Sequence, residues 1–347
     1  MMVVLICTTV ATFDEREQTM TRRWGIMGTG IIAHAFAEAI RAEGGSVVAV
    51  SSATPARAQR FAAAHGIPVA ASPHGDLLRH RDVEVVYIAT TNERHHLDAH
   101  ACIAAGVPAL VEKPFALHAP AARAVLEAAS TAGLFVAEAM WTRLQPATQR
   151  LHAELASGVI GEPTAFQASF GVVLNSDPSR RWRSAALGGG ALLDLGVYPA
   201  TLAHDLLGPA SRVQATGQLA DTGVDLNVAV VAEHERGSAT WRCSFIEASG
   251  VWATVAGADG HIWIGEPFHH APSLTVHQRD QPVRHLPIDG HELGYRYEVR
   301  EVHRCLDAGL LESPTLAHAD TLAVLEMLDE IGAQLGVLRP KLAPVTS

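Results

Sequence analysis

Cysteine is scarce. The 347 residues hold four, at positions 7, 102, 243 and 305, and none forms a Cys-x-x-Cys pair. That spacing excludes a disulfide scaffold and a thiolate metal site, and it fits reduced, mostly buried thiols in the cytoplasm. Histidine is plentiful at 19, yet there is no His-Glu-x-x-His segment and no Cys/His cluster. No metal site is expected. Positive charge is also short. Lys and Arg number 26 against 36 Asp and Glu, a net charge of −10. Nucleic acid is therefore not an expected partner, since phosphate binding needs a basic face. No membrane partner is expected either. The apolar stretch from residue 2 to 13 is too short to span a bilayer. Acids follow it (Asp14, Glu15, Glu17) and no basic residue precedes it, the reverse of a secretory signal. Residues 1–22 are expected to be an extension outside the fold. An extra strand or an arm on a partner subunit is the alternative. No fixed-period repeat or low-complexity tract occurs. Hydrophobic residues make up 48% and charged ones 18%, enough for a large core, and the length suggests two domains.

Residues 23–140 alternate short apolar runs with helical patterns. Strands are expected at 24–27, 47–51, 69–70, 85–89, 109–111 and 134–137. Helices are expected at 33–41, 56–65, 97–105 and 119–132. Gly66, Gly106 and Gly133 stand where a left-handed residue closes a helix. This is the pattern of an α/β fold, a doubly wound parallel sheet of the dinucleotide-binding type. After residue 140 the texture changes. A helix at 145–157 leads into strand-like runs at 164–170, 213–218, 227–233, 238–245, 251–256 and 261–264, and helices at 295–308 and 318–335 close the chain. Residues 141–347 read as an α+β domain with an open, mainly antiparallel sheet, carrying substrate binding and oligomerisation.

The sharpest local signal is Trp24-Gly25-Ile26-Met27-Gly28-Thr29-Gly30-Ile31-Ile32-Ala33. A strand ends in Gly-x-Gly-x-x-Ala and a helix begins. Gly28 allows the tight turn, Gly30 lets the backbone approach a pyrophosphate, and Ala33 lets the helix pack on the strand. The amides of Ile31 and Ile32 then face the anion. An NAD-specific site usually places Asp or Glu at the end of the second strand, and none is here. Ser52, Thr54 and Arg57 suit a 2′-phosphate instead, so NADP(H) is preferred and NAD(H) is possible. Alternatively, Arg57 merely opens a solvated helix face. Thr90, Asn92 and His95 follow the 85–89 strand and open on the cofactor crevice. His95 either lines the nicotinamide side or caps the next helix. Glu112-Lys113-Pro114 ends another strand at the same edge. Lys113 there either bonds a substrate hydroxyl and lowers the pKa of a nearby acid, or is a solvated strand-end lysine. In Gly188–Tyr198, Asp194 and Tyr198 stand four apart in an apolar helix-like segment, on one face. A cleft would explain them, with Tyr198 moving a proton and Asp194 partnering a lysine or the substrate. A buried tyrosine and a helix-start aspartate is the other reading. Pro199 strains that helix.

Together these segments resemble the Gfo/Idh/MocA oxidoreductase family, from about Arg22 to the C-terminal helices. Glu112-Lys113-Pro114 after a dinucleotide-binding half is the characteristic signature. Phe135–Arg143 and Gly189–Tyr198 are similar to a branch of dihydrodiol and sugar dehydrogenases. The resemblance implies hydride transfer between a nicotinamide and a secondary alcohol or carbonyl of a sugar or cyclic diol. It implies Lys113 as catalytic lysine, Tyr198 as general acid/base, Asp194 as the acid one turn earlier, and His95 and Trp141 as site residues. Arg57 matches one of two arginines associated with the 2′-phosphate; the other is replaced by Ala53. The outer face of the second sheet would form a homodimer or homotetramer. The substrate pocket is expected from Trp141, Arg143, Arg180, Arg181, Trp182 and Tyr295. Lys113 is expected to lower the phenol pKa of Tyr198 from about 10. A cofactor-sensing regulator and an NAD-dependent glycoside-cleaving enzyme are the rival classes. The presence of Lys113, Asp194 and Tyr198 together favours the dehydrogenase.

Overall fold

The computed structural model describes residues 21–177 and 179–340. Nearly all of the expected N-terminal extension therefore lies outside the described residues.

Six parallel strands form the first sheet: β1 (Arg23–Met27), β2 (Ser46–Ser51), β3 (Val69–Ala71), β4 (Val85–Ile88), β5 (Ala109–Glu112) and β6 (Val136–Ala139), in the order β3-β2-β1-β4-β5-β6. Every residue of β4, β5 and β6 is buried. Strands covered on both faces read as continuous apolar runs rather than alternating ones. The covering helices are α1 (Ile31–Ala42), α2 (Pro55–His65), the single turn α3 (His74–Leu77), α4 (His95–Ala104) and α5 (Ala119–Ala132). On α1, Ala33, Phe36, Ala37 and Ile40 form the buried stripe, the spacing of one helix face. Phe36 stacks on Tyr87 of β4 with ring centroids 3.7 Å apart. β6 starts two residues later than its apolar run. The amide of Leu134 still donates to Ala129, completing the end of α5.

The second sheet has eight strands: β7 (Pro163–Gly171), β8 (Ala210–Leu219), β9 (Asp225–His234), β10 (Gly237–Ser244), β11 (Gly250–Gly257), β12 (Gly260–Ile264), β13 (Ser273–Gln278) and β14 (Arg284–Pro287). All neighbours are antiparallel except β7 and β10. β13 and β14 are not in the sequence-based expectation. They form the short edge beyond β12. One face of the sheet is packed. Val228, Val230 and Ala232 of β9 point inward, while Val231 is exposed. Helices α6 (Pro146–Ala156) and α7 (Val197–Leu207) follow β6 and precede β8 respectively. The last two helices, α8 (Arg296–Asp307) and α9 (His318–Leu335), return to the first layer. The Trp24 indole donates to His303 of α8 (3.1 Å), and the Ala119 amide donates to Asp329 of α9 (2.8 Å). One continuous core runs through both layers.

Candidate active site

A long cleft runs from the β1–α1 turn to the face of α7. Gly28 has φ +108°, and a Cβ there would strike the carbonyl of Ala89 on the neighbouring strand end. Only glycine brings β1 and β4 this close at the turn. A Cβ on Gly30, by contrast, would meet nothing within 4 Å, because it would project into the open cleft. No side chain caps the first turn of α1, so its amides are free for an anion. Ile31 is 92% exposed at this lip. This cradle fits a dinucleotide pyrophosphate.

The outer part of the cleft follows from the end of β2. Ser52 and Arg57 face the cleft, joined by Arg60, His34 and Phe61. Arg60 lies one turn beyond Arg57 on α2 and stands in the neighbourhood where Ala53 supplies no charge. Helical spacing from Arg57 was the signal that could have found it. Thr54 does not line the cleft. The chain has already turned away there to enter α2.

The loop after β4 closes the middle. Thr90 lines the cleft while its hydroxyl donates to Asp98 (2.8 Å). The Asn92 side-chain amide donates to the Gly188 carbonyl (2.9 Å), tying the first layer to the segment before α7. His95 is buried, with Nδ1 2.8 Å from the Pro114 carbonyl. Burial pulls its pKa below the ordinary histidine value, despite bonds to Pro114 and Thr90.

At the inner end Lys113, Asp194, Tyr198, Trp141, Arg181, Trp182 and Tyr295 converge. The Lys113 ammonium donates to the backbone carbonyl of Asp194 (2.8 Å) and to its carboxylate (3.2 Å). It lies 5.0 Å from the centre of the Tyr198 ring. Burial opposes the lysine charge, but Tyr198, Asp194 and Glu112 outweigh it and hold the ammonium above the ordinary lysine pKa. Burial would also protonate Asp194, yet Lys113 and then Arg181 keep its carboxylate below the usual range. Tyr198 differs from expectation. Burial raises its phenol above 10, and the nearby ammonium offsets only part of that rise. The Trp141 indole donates to the Tyr198 oxygen (3.0 Å) and its ring stacks on Tyr295, 4.5 Å between centroids. Glu112 lies under the site. Its carboxylate accepts from the Tyr87 hydroxyl and from the Lys113 amide.

Asp194 and Tyr198 are not one α-helical turn apart. Leu192–Gly196 is a π-helical turn, and α7 begins only at Val197. The wider turn presents the Asp194 carbonyl as well as its side chain to Lys113.

Two expected pocket residues lie elsewhere. Arg143 is held between Asp205 (2.9 Å) and Asp320 (2.5 Å), behind the cleft, because two partly buried carboxylates pair with it there. Arg180 pairs with Asp177 (3.6 Å) and lies over the outer Trp182 ring, 5.7 Å from its centre. Arg181 is the arginine that turns inward, 3.5 Å from Asp194. A further signal in the sequence points to Lys113. Of the 26 basic residues only two are lysines, Lys113 and Lys341. A chain that otherwise uses arginine places a compact, three-donor ammonium at this one strand end.

Comparison with known proteins agrees with this geometry. Residues 22–140 match the family model described as oxidoreductase family, NAD-binding Rossmann fold, and residues 148–263 match the GFO/IDH/MocA C-terminal domain. The trans-1,2-dihydrobenzene-1,2-diol dehydrogenase of Sus scrofa is 33% identical, covering 93% of this chain and 99% of its own. The Homo sapiens enzyme of the same name is 32% identical with the same coverage. Among solved structures, levoglucosan dehydrogenase in complex with NADH and levoglucosan shares the fold with a TM-score of 0.83 at 20% identity, covering 91% of this chain and 97% of that one. A 3-ketoreductase from Actinomadura kijaniata, in complex with NADP, gives 0.80 at 24% identity, covering 91% and 98%. Two domain models in the right order, and relatives matched over nearly their whole length, place the chain in the Gfo/Idh/MocA family of NAD(P)-dependent oxidoreductases.

Proposed function

We propose that this protein is an NADP(H)-preferring dehydrogenase of a ring-borne secondary alcohol, in a cyclic vicinal diol or a sugar, and works in the cytoplasm as a homo-oligomer joined through the open face of the second sheet. The observation that carries the reading is the Lys113 ammonium, fixed on Asp194 beside the Tyr198 phenol in the cleft that begins at Gly28 and Gly30. Trp141, Trp182 and Tyr295 supply flat apolar surface suited to a ring face. The relatives named for a dihydrodiol support the diol, and the levoglucosan complex supports a sugar. Arg57 and Arg60 beside Ser52 support the 2′-phosphate.

When bound, the cofactor would supply the hydride in its reduced form, NADPH, and accept it in its oxidised form, NADP⁺. The protein's part is to hold and charge the reacting oxygen. Lys113 spends two of its three hydrogens on Asp194, which leaves one for that oxygen. An indole only donates, so the bond from Trp141 occupies a Tyr198 lone pair and leaves the phenol hydrogen free to point elsewhere, toward the cleft. Two donors then meet the oxygen where negative charge develops. In carbonyl reduction the phenol gives up its proton to the new alkoxide. In alcohol oxidation the same proton returns to a phenolate, which is scarce at neutral pH because burial holds the phenol up.

Lys113→Met tests the reading. Turnover of trans-dihydrodiols, inositols and aldoses with NADP⁺ should fall by roughly 10²–10⁴-fold, while NADP⁺ affinity, measured by fluorescence titration, stays within about twofold of wild type. Undiminished turnover in this variant would remove the lysine from the chemistry.

A further inference from the structure

Pro199 occupies an odd place. It is the third residue of α7, fully within the helix and buried, directly after the wide turn that ends at Gly196. A proline nitrogen carries no hydrogen. Residue 199 therefore cannot donate to Leu195, four residues back, as in an α-helix. Nor can it donate to Asp194, five residues back, as in the wider register that precedes it. The carbonyl at that fifth position is the one that Lys113 reaches, at 2.8 Å, nearer than the Asp194 carboxylate oxygen at 3.2 Å. The turn is also anchored from its start. The buried carboxylate of Asp225 accepts the Leu192 amide (2.5 Å), and a Cβ on Gly196 would press on Cys243. The segment is thus held on both sides of the Asp194 carbonyl.

We propose that Pro199 is a positioning residue for Lys113: by withholding an amide hydrogen beside the wide turn, it leaves the Asp194 carbonyl to hold the ammonium and so fixes which of its three hydrogens faces the substrate oxygen. This rests on the dehydrogenase reading above only for its effect on turnover. The placement of the ammonium is measurable without cofactor or substrate.

The two lysines make the test clean. Protein labelled with ¹³Cε-lysine gives two signals, and Lys113→Met assigns one of them. In Pro199→Ala the restored amide competes for the carbonyls behind it. The Lys113 signal should titrate about one pH unit lower than in wild type, kcat should fall by roughly tenfold, and NADP⁺ affinity should stay unchanged. A Lys113 titration and a kcat both equal to wild type would overturn the proposal. Loss of kcat with an unmoved Lys113 signal would also overturn it, since the proline would then act on packing alone. If Pro199→Ala does not fold, Asp194→Asn carries the test. It removes the charge but keeps the backbone carbonyl. Persistent NOEs from the Lys113 ε-methylene to the Tyr198 ring support the carbonyl as the holder, and their disappearance rules it out. Full activity in Lys113→Met would defeat the dehydrogenase mechanism and leave the NMR result standing on its own.

Discussion

The two ends of the cleft are built on opposite terms. At the inner end every charge has an answer within the protein. Lys113 is 15% exposed and Asp194 is 19% exposed, each bonded to the other, with Arg181 and Tyr198 alongside. At the outer end, by β2 and α2, the Arg57 and Arg60 side chains stand exposed, with no hydrogen-bond or ion-pair partner among the described residues. The proposed roles account for the difference. Groups that stabilise charge appearing during a reaction gain from being fixed beforehand, so that no reorganisation accompanies the chemistry. Groups that capture an anion from solvent lose little by being loose, and their pull is screened by salt.

That contrast can be broken at either end. The largest effect beyond Lys113 itself is expected from Tyr198→Phe, a loss of roughly 100-fold in kcat for reduction, checked by steady-state kinetics in both directions. In wild type, alcohol oxidation should climb with pH through the neutral and weakly alkaline range. The phenol is held above 10, so its ionised form grows as pH rises and is not saturated there. Removing the hydroxyl should flatten that climb; an unchanged profile would assign the proton to another group.

The outer end should respond more gently and more selectively. Arg57→Ala is expected to weaken NADP⁺ about tenfold and NAD⁺ hardly at all, with Arg60→Ala acting in the same direction. Binding of 2′,5′-ADP against 5′-AMP, measured by calorimetry at low and high salt, separates the phosphate from the rest of the nucleotide. Equal losses for both ligands would show that these arginines do not read the phosphate.

The last effect leaves the chemistry untouched and concerns stability under the inner end. Glu138 on β6 accepts the Phe115 amide and the Thr321 hydroxyl (3.0 Å each), just beyond the Lys113 turn. Burial pushes its carboxyl up from 4.5 to about 7. The folded chain thus favours the protonated acid. That contribution is full below about pH 4.5 and is lost as pH rises through about 7. Glu138→Gln mimics the protonated form. Above pH 7 its melting temperature should exceed that of wild type, with a stability gain of no more than about 3 kcal/mol, and the two should converge in acid. A variant less stable than wild type at every pH would show that the carboxylate itself is needed.

Much of this was legible in the sequence, for reasons that differ by region. Strands β1, β2, β4 and β5 announce themselves because burial on both faces leaves no polar interruptions, and glycine closes α2 and α5 where the pattern stops. β13 and the edge strand β14 escape notice because the sheet here is packed on one side only. In Ser273–Gln278 only Leu274 and Val276 are buried. At the site, Gly28, Gly30, Lys113 and Tyr198 were readable, since each residue type is demanded by local chemistry. Arg143 was not, because its partners Asp205 and Asp320 are distant in the chain and no local pattern gives its direction. A four-residue spacing also suggested an ordinary helical turn at Asp194–Tyr198, and nothing in a spacing count distinguishes it from the wider one. The direction of the Tyr198 phenol shift is not legible either, because sequence names the neighbouring ammonium but not the dryness around the ring.

The bond from Asn92 to the Gly188 carbonyl has a mechanical meaning. It staples the wall above β4 to the wall before α7, close to where Lys113 crosses to Asp194. Both bonds join the first layer to the segment that leads into α7. Any movement that parted the first layer from the Gly188–Tyr198 segment at the inner end would have to break both of them.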